Sequence, residues 1–158
     1  MSPNLKLGLA GEYLAGSFLV RQFDEIYPAP PGSRFDFLCH LDGNHFRIQV
    51  KTTGSANKHH GSKWCRWDIK KKISNKKLYR VYSGDEVDIF AFVYLPGNIV
   101  IFQPNYRLNK TFQRKLDDIT HVDSEKTLQN AIQTVLEVKC NISQDEPGIL
   151  KKMWKVWG

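Results

Sequence analysis

The chain has 158 residues, of which 41% are hydrophobic and 25% charged, as is typical of one compact globular domain. No stretch reaches the roughly 20 apolar residues of a membrane-spanning helix, and residues 1–9 lack the pattern of a signal peptide. Three widely spaced cysteines without a CxxC pair argue against a disulfide framework or structural zinc site, and favour a reducing, cytoplasmic location.

The first predicted element is an amphipathic helix over residues 5–22. Its apolar face would consist of four side chains at helical spacing: Leu7, Tyr13, Leu14 and Phe18. The proline-rich segment 28–32 then ends any regular structure.

A β-hairpin is predicted next, with strands over residues 34–40 and 45–53. Asp42-Gly43 between them is a strong signal for a two-residue turn, and this turn fixes the register of the two strands. Six apolar residues then share the core side of the hairpin: Phe35, Phe37, Cys39, Phe46, Ile48 and Val50.

The opposite side of this hairpin gathers three polar groups. Asp36 lies opposite Gln49, with Cβ atoms about 5 Å apart, and Lys51 follows two residues along the same face. Phosphodiester hydrolysis requires such a set, because carboxylate and amide oxygens bind Mg²⁺ and an ammonium group stabilises charge at phosphorus. From spacing alone, a surface Asp–Lys pair without a catalytic role is an equally good interpretation.

The net charge of +7 is concentrated in one segment. Residues 51–80 hold ten lysines or arginines and one acid, Asp68, whereas the rest of the chain is slightly acidic. Such a patch favours a polyanionic partner, because each neutralised phosphate releases counterions. The aromatic residues of the segment, Trp64, Trp67 and Tyr79, favour nucleic acid over a solvated lysine-rich face, because aromatic rings stack on bases.

The remaining elements complete a layered fold. They are, in chain order, a mobile loop (54–62), a short strand (64–69), a basic segment of uncertain structure (70–84), a buried strand (87–95), a turn (96–98), a returning strand (99–103), a helix capped by Ser124 that ends near Lys139, and an apolar tail (147–158). This order of helices and strands predicts an α/β (α+β) fold with a central mixed β-sheet flanked by helices. It forms one domain over residues 1–158, with a basic segment at 54–82 and a C-terminal tail at 141–158.

Four features in this order resemble the PD-(D/E)XK nuclease core. They are Gly11-Glu12 on the first helix, Arg34-Phe35-Asp36-Phe37, Ile48-Gln49-Val50-Lys51-Thr52, and the strand Val87-Asp88-Ile89-Phe90-Ala91. Over residues 8–103, roughly two-thirds of the chain, the sequence is most similar to the small homing endonucleases encoded in bacterial group I introns. Archaeal Holliday junction resolvases share the order of motifs.

The resemblance implies a restriction-endonuclease-like core and a role for each matched residue. Asp36 is the metal carboxylate, Lys51 is the catalytic lysine, and Glu12 approaches the metal from the first helix. Gln49 replaces the usual acid, so Glu12 supplies the missing negative charge; QxK variants of this fold remain active. The cofactor is Mg²⁺, with Mn²⁺ as a substitute, and the backbone carbonyl of Val50 is a further ligand.

Two of these residues also have structural interpretations. Glu12 could be a solvent-facing helix glutamate, and Asp88 could equally hold a structural hydrogen bond. The sequence leaves both assignments open.

The hypothesis is a sequence-specific endonuclease for double-stranded DNA that leaves 5′-phosphate and 3′-hydroxyl ends. Six basic residues are predicted to contact DNA: Lys58, Lys63, Arg66, Lys70, Lys72 and Arg80. Because one chain has one site and two strands are cut, a homo-oligomer is expected, a tetramer being favoured over a dimer. The strand near residues 87–103 and the apolar tail are its predicted contacts.

Two alternatives remain open. A structure-selective junction resolvase would use the same site on four-way junctions with little regard to sequence. A non-catalytic nucleic-acid-binding protein would keep these carboxylates for structural reasons only.

Overall fold

The computed structural model describes residues 1–73, 78–80, 82–106, 108 and 110–144, with the backbone alone for 71–73, 78–80 and 143–144. The predicted apolar tail at 147–158 lies outside the described residues. Within them the chain has the following elements: α1 (Pro3–Gln22), β1 (Glu25–Pro28), β2 (Phe37–Leu41), β3 (Asn44–Thr53), β4 (Asn57–His59), β5 (Ser62–Asp68), β6 (Lys71–Ile73), β7 (Leu78–Arg80), β8 (Ile89–Tyr94), a 3₁₀ turn (Leu95–Gly97), β9 (Ile99–Pro104), β10 (Thr111–Lys115), α2 (Leu116–Ile119) and α3 (Ser124–Gln144).

A five-stranded mixed sheet forms the centre of the fold, with strand order β1-β2-β3-β8-β9. β3 and β8 run parallel, and the other neighbours run antiparallel. The predicted hairpin register is confirmed by the pairs Phe37–Ile48 and Cys39–Phe46. Asp42 and Gly43 both have positive φ, 49° and 77°, as a type I′ turn requires. The edge strand β1 was not predicted from the sequence.

Helix α1 approaches the sheet closely because two of the three buried side chains on its inner face are small. Ser2 caps its first turn by accepting a hydrogen bond from the backbone N–H of Leu5, and Pro3 follows at the first helical position. The buried residues are Gly11, Ala15 and Leu19, spaced four apart. The prediction that Tyr13 belongs to the apolar face is wrong, since its side chain is 72% exposed.

Helix α3 packs on the same face of the sheet as α1. Together the two helices cover a core that includes Phe46, Ile48 and Phe102. The predicted cap is corrected: Asp123 accepts from the backbone N–H of Lys126, while Ser124 is already helical. Among the described residues, neither long helix nor any other is apolar enough over a sufficient length to cross a membrane.

Two hydroxyl groups of α3 accept hydrogen bonds from β9, the edge strand of the central sheet. Ser124 Oγ accepts from the backbone N–H of Val100, and Thr127 Oγ1 accepts from that of Phe102. These two donors on β9 are therefore unavailable to a strand from another copy. The oligomer contact predicted near residues 87–103 stays a prediction.

A second, three-stranded antiparallel sheet covers the other face, in the order β10-β5-β4. Residues 54–62, predicted as a mobile loop, instead contain β4 and the tight turn of a second hairpin at His60-Gly61, where both φ angles are positive. β5 is confirmed as a strand, and β10 and α2 were not predicted from the sequence. Helices on a central mixed sheet agree with the predicted fold class.

Trp67 ties the two sheets together. Its side chain is 2% exposed and its indole N–H donates to the backbone carbonyl of Val93 at 2.9 Å. Its ring also lies against Phe92 and Phe112. The prediction that Trp67 could stack on bases is therefore wrong, and its neighbour Cys65 is buried as well.

Candidate active site

Asp36 lies just before β2, at a point where the chain changes direction. The strand ladder ends at the pair Phe37–Ile48, and the backbone N–H of Asp36 donates to the carbonyl of Ile48 at 2.8 Å. Phe35 consequently packs against the second core cluster, on the opposite side of the sheet from Phe37. The prediction that Phe35 shares the core side of the hairpin with Val50 is wrong, because the period-two alternation stops at Asp36.

This change of direction brings the Asp36 carboxylate onto β3. Asp36 Oδ2 accepts from Gln49 Nε2 at 2.6 Å and from the backbone N–H of Val50 at 2.6 Å. Gln49 Nε2 also donates to the carbonyl oxygen of Val50 at 3.2 Å. Gln49 is only 9% exposed, so the amide is held in this position by burial as well as by hydrogen bonds. The predicted juxtaposition of Asp36 and Gln49 is present.

Glu12 comes to the same place from α1. Its neighbour Gly11 lies so close to Thr52 of β3 that a Cβ atom at residue 11 would overlap the threonine side chain. Burial, and secondly the negative charge of Asp36, raise the pKa of Glu12 above its ordinary value. The two carboxylates therefore interact electrostatically, and the Glu12 side chain is half-buried.

Lys51 is held by a residue that the sequence analysis missed. Its Nζ donates to the Tyr82 hydroxyl at 3.3 Å and lies 5.0 Å from the centre of the Tyr82 ring. Tyr82 is 4% exposed and packs on Phe90, so its position is fixed by the second core cluster. Nothing in the local sequence indicated this contact, because Tyr82 lies in the basic segment 70–84 that had no clear periodicity.

The donor set suits a hard divalent cation. The carboxylates of Glu12 and Asp36 and the carbonyl of Val50 are the kind of oxygen ligand that Mg²⁺ prefers. Gln49 directs its Nε2 toward Asp36 Oδ2 and the Val50 carbonyl, so its predicted role as an oxygen ligand would require the amide group to rotate. A cation between the two carboxylates would reduce the cost of ionising both, which burial and the charge of Asp36 increase by raising the pKa of Glu12. No cluster of three or more His, Cys, Asp or Glu side chains occurs among the described residues, so a third carboxylate from that part of the chain does not contribute.

Asp88 has a structural role. Its Oδ2 accepts from Arg47 Nε at 2.9 Å and from the Arg47 backbone N–H at 2.8 Å, and its own backbone N–H donates to the carbonyl of Arg47. Lys139 Nζ of α3 lies 3.8 Å from Asp88 Oδ1. Asp88 is 8% exposed, so these contacts compensate a buried charge and link β3, β8 and α3.

The predicted DNA contacts lie on and beside the three-stranded sheet. Lys58, Lys63 and Arg66 are exposed, and Lys70 is half-buried. Lys72 and Arg80 lie on β6 and β7, whose side chains are outside the described part of the structure.

Comparisons with known proteins bear on the fold. No protein-family model matches the chain, and no curated protein matches it. Its structure is similar to that of the bacterial homing endonuclease I-Ssp6803I, with a TM-score of 0.60 over 92% of this chain and 100% of the other. The two sequences are 14% identical, so the likeness concerns the fold. A homing-endonuclease-like fold is therefore shown, whereas the PD-(D/E)XK assignment remains a prediction.

Proposed function

We propose that this protein is a magnesium-dependent endonuclease for double-stranded DNA and that Glu12, Asp36, Gln49, Val50 and Lys51 form its active site. The observation that carries the proposal is that Asp36, hydrogen-bonded to the buried amide of Gln49, lies close enough to Glu12 to raise the pKa of that carboxyl group. Lys51 follows Gln49 by two residues on the same strand. A likeness in fold to a homing endonuclease supports it. The exposed side chains of Lys58, Lys63 and Arg66 add positive charge suited to a polyanion.

Each residue has a separate task in the proposed reaction. Glu12 and Asp36 would hold Mg²⁺ together with the carbonyl of Val50, and Gln49 would orient Asp36 through its hydrogen bond or present its own amide oxygen. When bound, the cation would neutralise phosphate charge and lower the pKa of a coordinated water. Mn²⁺ would substitute, since it accepts the same oxygen ligands.

Lys51 would act on the phosphate itself. Its ammonium group, held by Tyr82, would donate hydrogen bonds to the non-bridging oxygens as negative charge accumulates on them. Hydrolysis would leave 5′-phosphate and 3′-hydroxyl ends.

More specifically, we propose that the protein is a homing endonuclease, an enzyme that recognises a long DNA sequence and cuts both strands. A single chain carries one proposed active site among its described residues, so two strands require at least two copies. We propose a homo-oligomer, a tetramer in preference to a dimer, which would also lengthen the recognised sequence.

The test is incubation of the full chain with a pool of randomised duplexes, with and without Mg²⁺, followed by sequencing of the ends. The proposal expects cleavage at a shared motif that requires Mg²⁺ and disappears in Asp36→Asn. A four-way junction of mixed sequence serves as a parallel substrate. Preferential cutting of that junction, or equal activity of Asp36→Asn, would contradict the proposed function.

A thermal unfolding measurement tests the metal site without relying on activity. A ligand that binds only the folded state stabilises it, so Mg²⁺ should raise the midpoint of unfolding for the natural chain. The shift should be smaller for Glu12→Gln and Asp36→Asn, because each removes one carboxylate of the proposed donor set. An identical shift in all three proteins would show that Mg²⁺ binds elsewhere.

A further inference from the structure

The solvent-facing side of the three-stranded sheet carries polar groups that strand pairing places next to each other. On β5, the outward-facing Trp64 and Arg66 alternate with the buried Cys65 and Trp67. Gln113 of β10 is the partner of Arg66, and Asn57 of β4 is the partner of Trp64. Paired residues share a face with Cβ atoms about 5 Å apart, so these four side chains form one continuous patch.

A surface concavity of about 600 Å³ lies on this patch. It is lined by Asn57, Lys58, His59, His60, Trp64, Arg66 and Gln113. Lys115 borders the patch, with Nζ 5.5 Å from the centre of the Trp64 ring. The patch therefore combines cations, amides and an aromatic ring, and Asp68 is the acid on its outward strand positions.

The chemistry of these groups matches the edges of base pairs. Arginine forms two hydrogen bonds with guanine in the major groove, and glutamine or asparagine forms two with adenine. The Arg66 guanidinium contacts Asp68 Oδ1 at 3.3 Å, but both side chains are more than half exposed. Such an exposed ion pair contributes little, so a base can replace the carboxylate.

The patch is close to the proposed active site along the chain. Lys51 and Asn57 are separated by six residues, which span at most about 20 Å even when fully extended. One turn of B-DNA measures about 34 Å. Base pairs less than one turn from a cut at Lys51 would therefore be within reach of the sheet face.

We propose that this sheet face reads DNA sequence in the major groove, with Arg66 specifying a guanine and Gln113 an adenine at a neighbouring base pair. The inference rests on the proposed function for its partner, double-stranded DNA, and adds which residues determine specificity. Lys58, Lys63 and Lys115 contact phosphates and carry no sequence preference.

The experiment is a binding selection from a pool of randomised duplexes, made with Asp36→Asn so that cleavage does not interfere. Arg66→Lys, which keeps the charge, should lose the preference for guanine at one position by about tenfold or more. Gln113→Ala should lose the preference for adenine beside it. Both positions are on the exposed face of the sheet, and circular dichroism would confirm that each variant is folded.

Two variants provide matched controls. Lys63→Ala removes one charge from the same strand, and Arg114→Ala alters the neighbour of Gln113 on the other side of β10, where it covers Phe112. Both should weaken binding at most and leave the selected motif unchanged. An unchanged motif in Arg66→Lys and Gln113→Ala, or a change of the same kind in both controls, would overturn the inference.

The proposed reading of sequence by the sheet and the proposed nuclease activity can be tested independently. A motif that depends on Arg66 in a protein without Mg²⁺-dependent cleavage would uphold the sheet face as a reader and reject the nuclease. Cleavage at a motif that neither Arg66 nor Gln113 alters would uphold the nuclease and reject the reader.

Discussion

The groups around Glu12 and Asp36, here called the acidic patch, and the outer face of the three-stranded sheet are two polar surfaces with opposite properties. In the acidic patch, Asp36 and Glu12 are partly buried and held by specific hydrogen bonds or by close helix packing. On the sheet face, Arg66 and its neighbours are exposed and adjacent through strand pairing. The acidic patch holds a few oxygen atoms in fixed positions. The sheet face presents charged and hydrogen-bonding groups to a large partner. Substitutions in the first should therefore affect bond cleavage, and substitutions in the second should affect binding.

The largest expected effect is that of Asp36→Asn. The substitution removes the negative charge and one of the oxygens that would hold Mg²⁺, so the cleavage rate should fall at least about a thousandfold. DNA affinity, measured by gel shift, should be unchanged or higher because a repulsive charge is lost. Loss of binding in parallel with loss of cleavage would break the distinction between the two surfaces.

Lys51→Ala should come next, with a loss of about 100- to 1000-fold in single-turnover cleavage at saturating DNA. The ammonium group is expected to act on charge that develops during the reaction, so the affinity for uncleaved DNA should change little. Lys63→Ala is a matched control, since it also removes one lysine charge but lies on the exposed hairpin. Similar cleavage rates for the two variants would contradict the proposed role of Lys51.

Glu12→Gln should reduce cleavage by about 10- to 100-fold, as expected for loss of one ligand contact. The same substitution should increase the free energy of unfolding relative to the natural chain near neutral pH. Because the folded state raises the pKa of Glu12 above 4.5, it binds this proton more tightly than the unfolded state. The stabilisation from the bound proton is complete below pH 4.5 and is lost as the pH rises through the raised pKa.

Denaturant unfolding without Mg²⁺ measures this effect. The natural chain should lose stability relative to Glu12→Gln as the pH rises from 4.5 towards neutrality, and the difference should be smallest at acid pH. A constant difference across this range would mean that the Glu12 carboxylate does not titrate as its surroundings imply. Glu137→Gln on the exposed side of α3 is a matched control, because it makes the same exchange of side chains away from Asp36.

Tyr82→Phe should have a smaller effect, about two- to tenfold on cleavage, because it removes one hydrogen bond to Lys51 and keeps the ring. Its effect should appear in the cleavage rate and disappear in the Lys51→Ala background, where the hydroxyl has no ammonium to position. An equal loss in both backgrounds would indicate that Tyr82 acts through the stability of the core alone.

The smallest effect on cleavage is expected from Lys58→Ala and Lys63→Ala. At saturating DNA both should cut at the natural rate, since neither side chain is among the groups proposed to hold Mg²⁺ or to act on the phosphate that is cut. Their effect should be on affinity: each should reduce the slope of log K against log salt by about 0.9 if it contacts one phosphate. Filter binding at several salt concentrations measures the slope, and an unchanged slope would place the phosphate contact elsewhere.

The sequence by itself determined the first hairpin and the candidate residues on it. Asp42-Gly43 supplies two residues that accept positive φ, so the register of β2 and β3 followed from local chemistry. Strong apolar runs likewise identified β8 and β9, because a strand buried on both faces has few other compositions. These are features for which neighbouring residues carry all the information.

Only the tertiary structure decided how Asp36 and Lys51 are held. Asp36 leaves the ladder and binds the N–H of Val50, while Tyr82 reaches Lys51 from a segment without periodicity. Likewise, β10 pairs with β5 across more than forty residues of chain, which brings Gln113 beside Arg66. Contacts between distant segments depend on packing of the whole core, and local sequence patterns do not encode them.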